Sequence, residues 1–148
     1  MVPPEIARSL AEARASMHWA IEPSAFALVG FQGPPLPEDL EELRGEGPAQ
    51  IVREGGETTI LAVADACDRI LERHPAGRSE RPLVWIRFEY SMGWEVVGFL
   101  ALVTGALAEA GVPLGAVCGF SRDHLFLGER HRAKAVQVLG ALFGPPQP

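Results

Sequence analysis

The residues best suited to covalent chemistry lie close together near the C-terminal end of the chain. Cys118 could serve as a nucleophile, and Asp123 and His124 are an acid and a base in adjacent positions. Residues 123–127 have the pattern of a β-strand, in which adjacent side chains point to opposite faces, so Asp123 cannot readily orient His124 as a triad carboxylate does. A packed, hydrogen-bonded histidine is therefore favoured, and we expect a non-catalytic protein. A small enzyme that uses Cys118 or His124 is the less favoured alternative.

A second group of ionisable residues is acidic and would suit a metal ion. Four of the five residues 38–42 are Asp or Glu, and they follow Pro37, a residue typical of the first position of a helix. Carboxylates in that first turn complement the positive end of the helix dipole, so a solvated turn is favoured over a metal site. Cys67 and Cys118 match no zinc-binding spacing. We predict no metal and no cofactor.

The length and charge of the chain limit its partners. Its 148 residues are enough for one compact domain or two very small ones. The net charge of -6 argues against nucleic acid, which requires a clustered basic face. No stretch has the length of a membrane span, and Pro3, Pro4 and Glu5 stand where a signal peptide has basic residues and an apolar run. These features predict a cytoplasmic protein with no nucleic-acid or membrane partner.

The elements that would position the candidate residues follow a simple order in the second half of the chain. Residues 83–90 show the alternation of a half-buried strand, and residues 98–112 have apolar side chains at helical spacing with Gly111 as the end of the helix. Residues 112–120 and 123–127 are strand-like, so the order is strand, helix, strand, strand. The smallest residues form the other stripe of the helix: Gly98, Ala101, Gly105 and Ala108. We expect this helix to be covered on both sides.

The predicted helix also carries a family resemblance. Its sequence is Gly98-x-Leu100-x-x-Val103-x-x-x-Leu107-Ala108-Glu109-Ala110-Gly111-Val112. This run resembles the first loop and helix of the ACT domain, a small regulatory module that binds amino acids. The wider run from Trp94 through Cys118-Gly119-Phe120 to Asp123-His124-Leu125-Phe126 is similar to small tandem ACT-like proteins. Many ACT domains have a polar residue and Pro before the loop glycine, whereas this chain has Val96 and Val97, so effector contacts are not carried over from that position.

The resemblance implies a ferredoxin-like α/β (α+β) fold with the order βαββαβ. Gly55 and Gly56 predict a hairpin in the first half, but no residues remain after Phe143 for a closing strand. We therefore expect two ACT-like units that share or exchange strands, with an antiparallel-rich sheet and helices on one face. The predicted organisation is an N-terminal helix and ACT-like unit over 1–75, a linker over 76–82, a second ACT-like unit over 83–143 and a frayed tail over 144–148.

The resemblance also places a ligand site at an interface between two ACT units, formed by the loop after the first strand and by the strand that faces it. The matching loop is residues 91–95, where Gly93 would permit close backbone approach, Trp94 could form a wall and Glu95 could receive an ammonium group. A core tryptophan and a glutamate that complements the helix dipole are the structural alternatives. The predicted ligand-binding residues are Ser91, Met92, Gly93, Trp94, Glu95, Gly98, Gly115, Val117, Cys118 and Gly119.

The function implied by the resemblance is that of a non-catalytic sensor. We expect a regulatory protein that binds a small molecule, an amino acid, and acts as a homodimer, because the small-residue stripe and the missing strand both favour pairing. A protein interaction module without a metabolite ligand is the alternative. Function predicted from a fold is a weaker inference than function predicted from a recognised site.

Overall fold

The structure, a computed structural model, describes residues 4–45 and 47–148. Its helices are α1 (Pro4–Ser16), α2 (Pro37–Glu42), α3 (Ala64–Arg73), α4 (Phe99–Glu109) and α5 (Arg132–Phe143). Its strands are β1 (Trp19–Ile21), β2 (Phe26–Gln32), β3 (Gln50–Glu54), β4 (Glu57–Val63), β5 (Arg78–Phe88), β6 (Leu114–Cys118) and β7 (Asp123–Gly128). The chain forms two compact units: a middle unit, Glu22–Val84, and a terminal unit, which joins the N-terminal segment up to Ile21 to Trp85–Pro148.

The middle unit has the order βαββαβ, from β2 to the first part of β5. Its strands lie in the order β3-β4-β2-β5, with antiparallel pairing throughout. The hairpin between β3 and β4 turns at Gly55 and Gly56, whose φ angles are 53° and 81°. Because both turn residues need positive φ, glycine suits each position, and the predicted hairpin is confirmed. The core of this unit lies between the sheet and α3, where Val29, Ile60 and Ile70 are buried.

The terminal unit repeats this arrangement with a strand taken from near the N-terminus. The last part of β5 is followed by α4, β6, β7 and α5, and β1 pairs antiparallel with β5 through Trp19 and Phe88. The strand order β6-β7-β5-β1 is that of the middle unit. The strand that is missing after Phe143 is therefore supplied by β1. The predicted α/β fold with ferredoxin-like units is confirmed.

The C-terminal residues are held against β1, although the sequence predicts a frayed tail over 144–148. The amide of Gln147 donates to the carbonyl of Trp19 at 2.7 Å, and the Trp19 indole Nε1 donates to the carbonyl of Gly144 at 2.8 Å. Since a buried indole N–H requires an acceptor, the Trp19 side chain fixes the start of this segment. The expected fraying is wrong for this reason.

A strand also stands where the sequence predicts a linker over 76–82. Strand β5 begins at Arg78 and pairs with β2 through Gly30 and Arg78 and through Phe26 and Leu83. Residues 78–82 are exposed, so they carry no apolar alternation, and their strand conformation depends on backbone pairing with β2. An exposed strand of polar residues has the composition of a linker, which explains the difference.

Helix α4 begins and ends at glycines. Gly98 is its N-cap with φ of 93°, and Gly111, with φ of 70°, follows its C-terminus. The amide of Gly111 donates to Ala108 and that of Val112 donates to Leu107, each at 2.9 Å, which is the Schellman arrangement. The predicted helix end is confirmed.

One face of α4 is buried and the other is not. The side chains of Phe99, Val103 and Leu107 are buried, whereas Ala101, Gly105 and Ala108 are exposed. Helix α1 reaches only the start of the small-residue stripe, where Leu10 lies against Gly98, so the prediction of a helix covered on both sides is wrong for Ala101, Gly105 and Ala108. Among the described residues, no helix is both long and apolar enough to span a membrane.

Candidate functional site

A cleft of about 330 Å³ opens in the terminal unit. Three segments form it: the loop 92–96 after β5, the first turn of α4 and the turn 118–123 between β6 and β7. The amide of Met92 donates to the carbonyl of Ser121 at 3.1 Å, which ties the first of these loops to the last. The amide of Gly119 donates to the carbonyl of Arg122 at 3.0 Å and closes the turn after β6. Backbone hydrogen bonds therefore hold the cleft in shape.

The structure brings six of the ten predicted site residues together in this cleft. They are Met92, Gly93, Trp94, Gly98, Cys118 and Gly119. The other four, Ser91, Glu95, Gly115 and Val117, do not line it. The cleft is also lined by seven residues that were not among the predicted ligand contacts: Val96, Phe99, Leu100, Ala101, Phe120, Arg122 and Asp123.

Three of the four residues outside the cleft make contacts elsewhere in the structure. The Glu95 carboxylate folds onto Gly93, where an added Cβ would clash with it. Gly115 is the cross-strand partner of Phe126, whose ring occupies the place of a side chain at Gly115. Val117 is only 7% exposed and belongs to the core. Gly115, in β6, and Gly119, in the turn that follows it, thus differ, because Gly115 makes room for a ring within the unit whereas Gly119 lines the cleft.

The first turn of α4 presents backbone amides to the cleft. Phe99, Leu100 and Ala101 line it, and the first amide of the helix with an intrahelical acceptor is that of Leu102, which donates to Gly98 at 2.9 Å. The N-cap residue is Gly98, which has no side chain and therefore makes no capping hydrogen bond to these amides. Uncapped amides and the helix dipole together give the cleft a positive potential at this point, which suits a carboxylate or another anion.

Two ionised side chains of opposite sign lie at one side of the cleft. Arg122 Nη1 donates to Glu89 Oε2 at 3.0 Å, and Arg87 also contacts Glu89. Asp123 is the neighbour of Arg122 in the chain, and it lies opposite Cys118 in the register of β6 and β7. The exposed thiol of Cys118 contacts the carbonyl of Gly119 at 3.5 Å.

The rim of the cleft is aromatic and exposed. Trp94 is 91% exposed on one loop, and Phe120 is 103% exposed on the other. The alternative of a core role for Trp94 is therefore wrong. Phe120 had no signal in the sequence, because it lies at the end of a predicted strand and the turn that exposes it could not be placed. Large apolar side chains in such exposed positions are typical of binding surfaces.

The corresponding position of the middle unit is closed by its own chain. The loop after β2 leads into α2, whose first residue, Pro37, has no amide proton. The amide of Leu36 donates to Asp39 Oδ2 at 2.8 Å, and the amide of Gly33 donates to the carbonyl of Gly56 at 2.6 Å. Pro37 offers no amide here, and the amides of Gly33, Leu36 and Asp39 are satisfied, so this position is less suited to an anion than the first turn of α4.

The acidic residues at α2 form ion pairs. Asp39 is fully buried, and its carboxylate accepts from Arg73 Nε at 2.8 Å and from His74 Nε2 at 2.7 Å. Burial opposes ionisation, but the hydrogen bonds from His74, Arg73 and the Leu36 amide outweigh it and lower the pKa of Asp39. Among the described residues, no group of three or more His, Cys, Asp or Glu side chains could hold a metal ion. The prediction of a solvated first turn is wrong for Asp39, which is a buried anchor for α3.

Comparisons with known proteins support the fold. No protein-family model matches the chain, and no curated protein matches it. Among solved structures, a structural genomics protein from Agobacterium tumefaciens is 18% identical with a TM-score of 0.72, over 88% of this chain and 90% of that one. A protein from Vibrio cholerae, described as a possible transport protein, is 20% identical with a TM-score of 0.67, over 95% and 97% of the two chains. The regulatory subunit of aspartate kinase from Thermus flavus is 13% identical with a TM-score of 0.63, over 85% and 97%.

These similarities define the class of fold to which the chain belongs. Regulatory domains of aspartate kinases are ACT-type domains, and the chain matches them over most of their length. The chain therefore has an ACT-like fold, as the resemblance of residues 98–112 predicts.

Proposed function

We propose that this protein is a non-catalytic regulatory protein that binds an amino acid in the cleft of the terminal unit. The observation that carries the proposal is the uncapped N-terminus of α4, which opens into a cleft of small-molecule size. The carboxylate of an amino acid would accept hydrogen bonds from the amides of the first turn. The likeness to a regulatory subunit of aspartate kinase supports a regulatory role.

The ammonium group of the ligand requires an acceptor, and Asp123 is the candidate. It is the only carboxylate among the described residues that line the cleft. Glu95, the residue predicted from the sequence, lies against Gly93 outside the cleft. A zwitterion would then contact the helix N-terminus through its carboxylate and Asp123 through its ammonium group.

Assembly into a homodimer belongs to the same proposal. Within the described part of the chain, β6 has a strand neighbour, β7, on one side only. Its other edge presents backbone donors and acceptors that a second copy of β6 would satisfy. Cys118 lies at the end of β6 and lines the cleft, so pairing along β6 would place each cleft next to the partner subunit. The ligand site would then lie at an interface between ACT-like units of two chains.

A thermal-shift screen of the full chain against the twenty amino acids tests this proposal. A ligand at one hundred times its Kd stabilises the folded state by about 2.7 kcal/mol, which raises the Tm of a chain of this size by about 5–10 °C. We expect one amino acid or a few chemically related ones to produce such a shift. The absence of any shift at millimolar concentrations would contradict amino-acid binding.

A further inference from the structure

Most of the residues that line the cleft are apolar. We propose that the amino acid recognised here has a bulky apolar side chain, either aromatic or branched aliphatic. This inference rests on the proposed function and adds the chemical class of the ligand. Two features of the cleft support it: few of its lining residues are charged, and the side chains that form its walls are apolar.

The charged residues that line the cleft leave no partner for a charged side chain of the ligand. Among the described residues that line it, Arg122 and Asp123 alone are charged. The Arg122 guanidinium is already paired with Glu89, and Asp123 faces the ammonium group in the proposed arrangement. No charged group is left for a lysine, arginine, aspartate or glutamate side chain. A charged side chain that lost its water here without a partner would bind poorly.

The walls of the cleft offer apolar area instead. Met92, Val96, Phe99 and Leu100 line it, and the cleft is bounded by the side chains of Trp94 and Phe120. Because the Met92 amide is bonded to Ser121, the loops that carry the two exposed aromatic residues are tied together. A ligand that packs against these rings would remove apolar surface from water, which favours binding in proportion to the area buried. Polar side chains such as serine would gain little from these walls.

The size of the cleft favours a small molecule over a second protein chain as the occupant. A volume of about 330 Å³ lies at the small end of the range for ligand pockets. Backbone hydrogen bonds hold both rim loops, so the cleft needs no partner chain to form. A second copy of the chain that covers Trp94 and Phe120 is the competing occupant. The effects of Trp94→Ala on ligand affinity and on self-association distinguish these two occupants.

Isothermal titration calorimetry of the full chain with L-phenylalanine, L-leucine, L-lysine and L-aspartate tests the inference. We expect phenylalanine or leucine to bind at least about tenfold more tightly than lysine or aspartate, which corresponds to about 1.4 kcal/mol. Trp94→Ala and Phe120→Ala should each weaken that binding by about tenfold, and Trp94→Phe should restore most of it. Val52→Ala, at an exposed apolar residue of the middle unit, is the matched control and should leave the affinity unchanged.

The possible outcomes distinguish this inference from the proposed function. If lysine or aspartate binds as tightly as phenylalanine, the apolar class is wrong while amino-acid binding stands. If none of the twenty amino acids binds, both are wrong. If Trp94→Ala leaves phenylalanine affinity unchanged but weakens self-association in sedimentation velocity without ligand, the aromatic rim is covered by a second copy and the inference is overturned.

Discussion

Trp19 lies directly opposite Phe88 in an antiparallel pair, so a strand near the N-terminus closes the sheet of the terminal unit. Both side chains are fully buried, and the Phe88 ring packs edge-on against Phe99 at 5.1 Å between centroids. The Trp19 indole also binds Gly144, so one residue joins the N-terminal strand, the central strand and the C-terminal segment. The unit that contains the candidate cleft therefore depends on both ends of the chain.

The contribution of Trp19 to stability can be measured directly. Trp19→Ala should lower the free energy of unfolding by about 3–5 kcal/mol, because it removes a fully buried aromatic side chain. Trp19→Phe should cost about 1–3 kcal/mol, since it leaves the Gly144 carbonyl without its donor. Urea unfolding followed by circular dichroism measures both changes. Trp94→Ala is the control at an exposed tryptophan, and a loss as large as that of Trp19→Ala would contradict the assigned roles.

The buried carboxylate of Asp39 should make stability depend on pH. The pKa of Asp39 is lowered in the folded state, so its stabilising contribution is complete above the pKa of the unfolded chain, near 4, and is lost as pH falls through the folded-state pKa. Asp39→Asn should therefore destabilise the protein by about 1–3 kcal/mol at pH 7 and by less at pH 3. Urea unfolding at a series of pH values gives the difference between the two proteins.

Glu41→Gln is the control for this pH dependence. Glu41 pairs with Arg44 on the surface of the same segment, with side chains 59% and 77% exposed. Exposed pairs of this kind contribute little, so its difference from the wild type should be small at every pH. A pH-independent effect of Asp39→Asn would show that ionisation of Asp39 is not the cause of its contribution.

The close contact between Gly115 and Phe126 predicts a coupled pair. Gly115→Ala should destabilise the protein by about 1–3 kcal/mol, because the new Cβ would overlap the Phe126 ring. In the background Phe126→Leu the same substitution should cost less, since the ring that it meets is gone. A double-mutant cycle from urea unfolding measures the coupling, and strictly additive effects would argue against the contact.

Pairing of two copies along β6 can be tested with one charged side chain. Ala116 is exposed in the middle of this edge strand, and lysine at such a position disfavours strand pairing. Ala116→Lys should shift the protein from dimer to monomer in light scattering. Val52→Lys, on the edge strand β3 of the middle unit, is the matched control and should leave the dimer intact. A wild-type monomer, or a dimer that survives Ala116→Lys, would exclude pairing through β6.

The elements that the sequence predicts are those whose side-chain periodicity or turn residues are recognisable within a short stretch of chain. The length of α4, its end at Gly111 and the glycine hairpin at Gly55 all follow from side-chain periodicity and backbone angles. Strand β1 has only three residues, too few for alternation to be recognised, and the start of β5 is polar because it is exposed on both sides. Both elements form by pairing with strands that are distant in the sequence, and this pairing leaves no pattern in the local sequence.

The sequence likewise predicts only some of the residues of the candidate site. Met92, Gly93 and Trp94 meet Cys118 and Gly119 in the cleft, as a loop facing the following strand implies. Phe120 and Arg122 could not be predicted as ligand contacts, because the directions of their side chains depend on the geometry of one turn, and Asp123 was considered only as a catalytic acid. Gly115 was predicted as a ligand contact because a glycine in a strand indicates close approach, and here the approaching group is the ring of Phe126.

Binding of an amino acid at the N-terminus of α4 can be tested with an added carboxylate. Ala101 is exposed in the first turn of this helix and lines the cleft, so Ala101→Asp would place a carboxylate where the ligand carboxylate is expected. The substitution suits the helix dipole and should not lower stability. Ala133→Asp makes the same change in the first turn of α5, outside the cleft, and is the matched control.

Calorimetric titration of both variants with the amino acid that gives the largest thermal shift is the decisive measurement. Ala101→Asp should weaken binding by about a hundredfold or abolish it, while Ala133→Asp should bind as the wild type does. Equal affinity in Ala101→Asp and the wild type would contradict the proposed site.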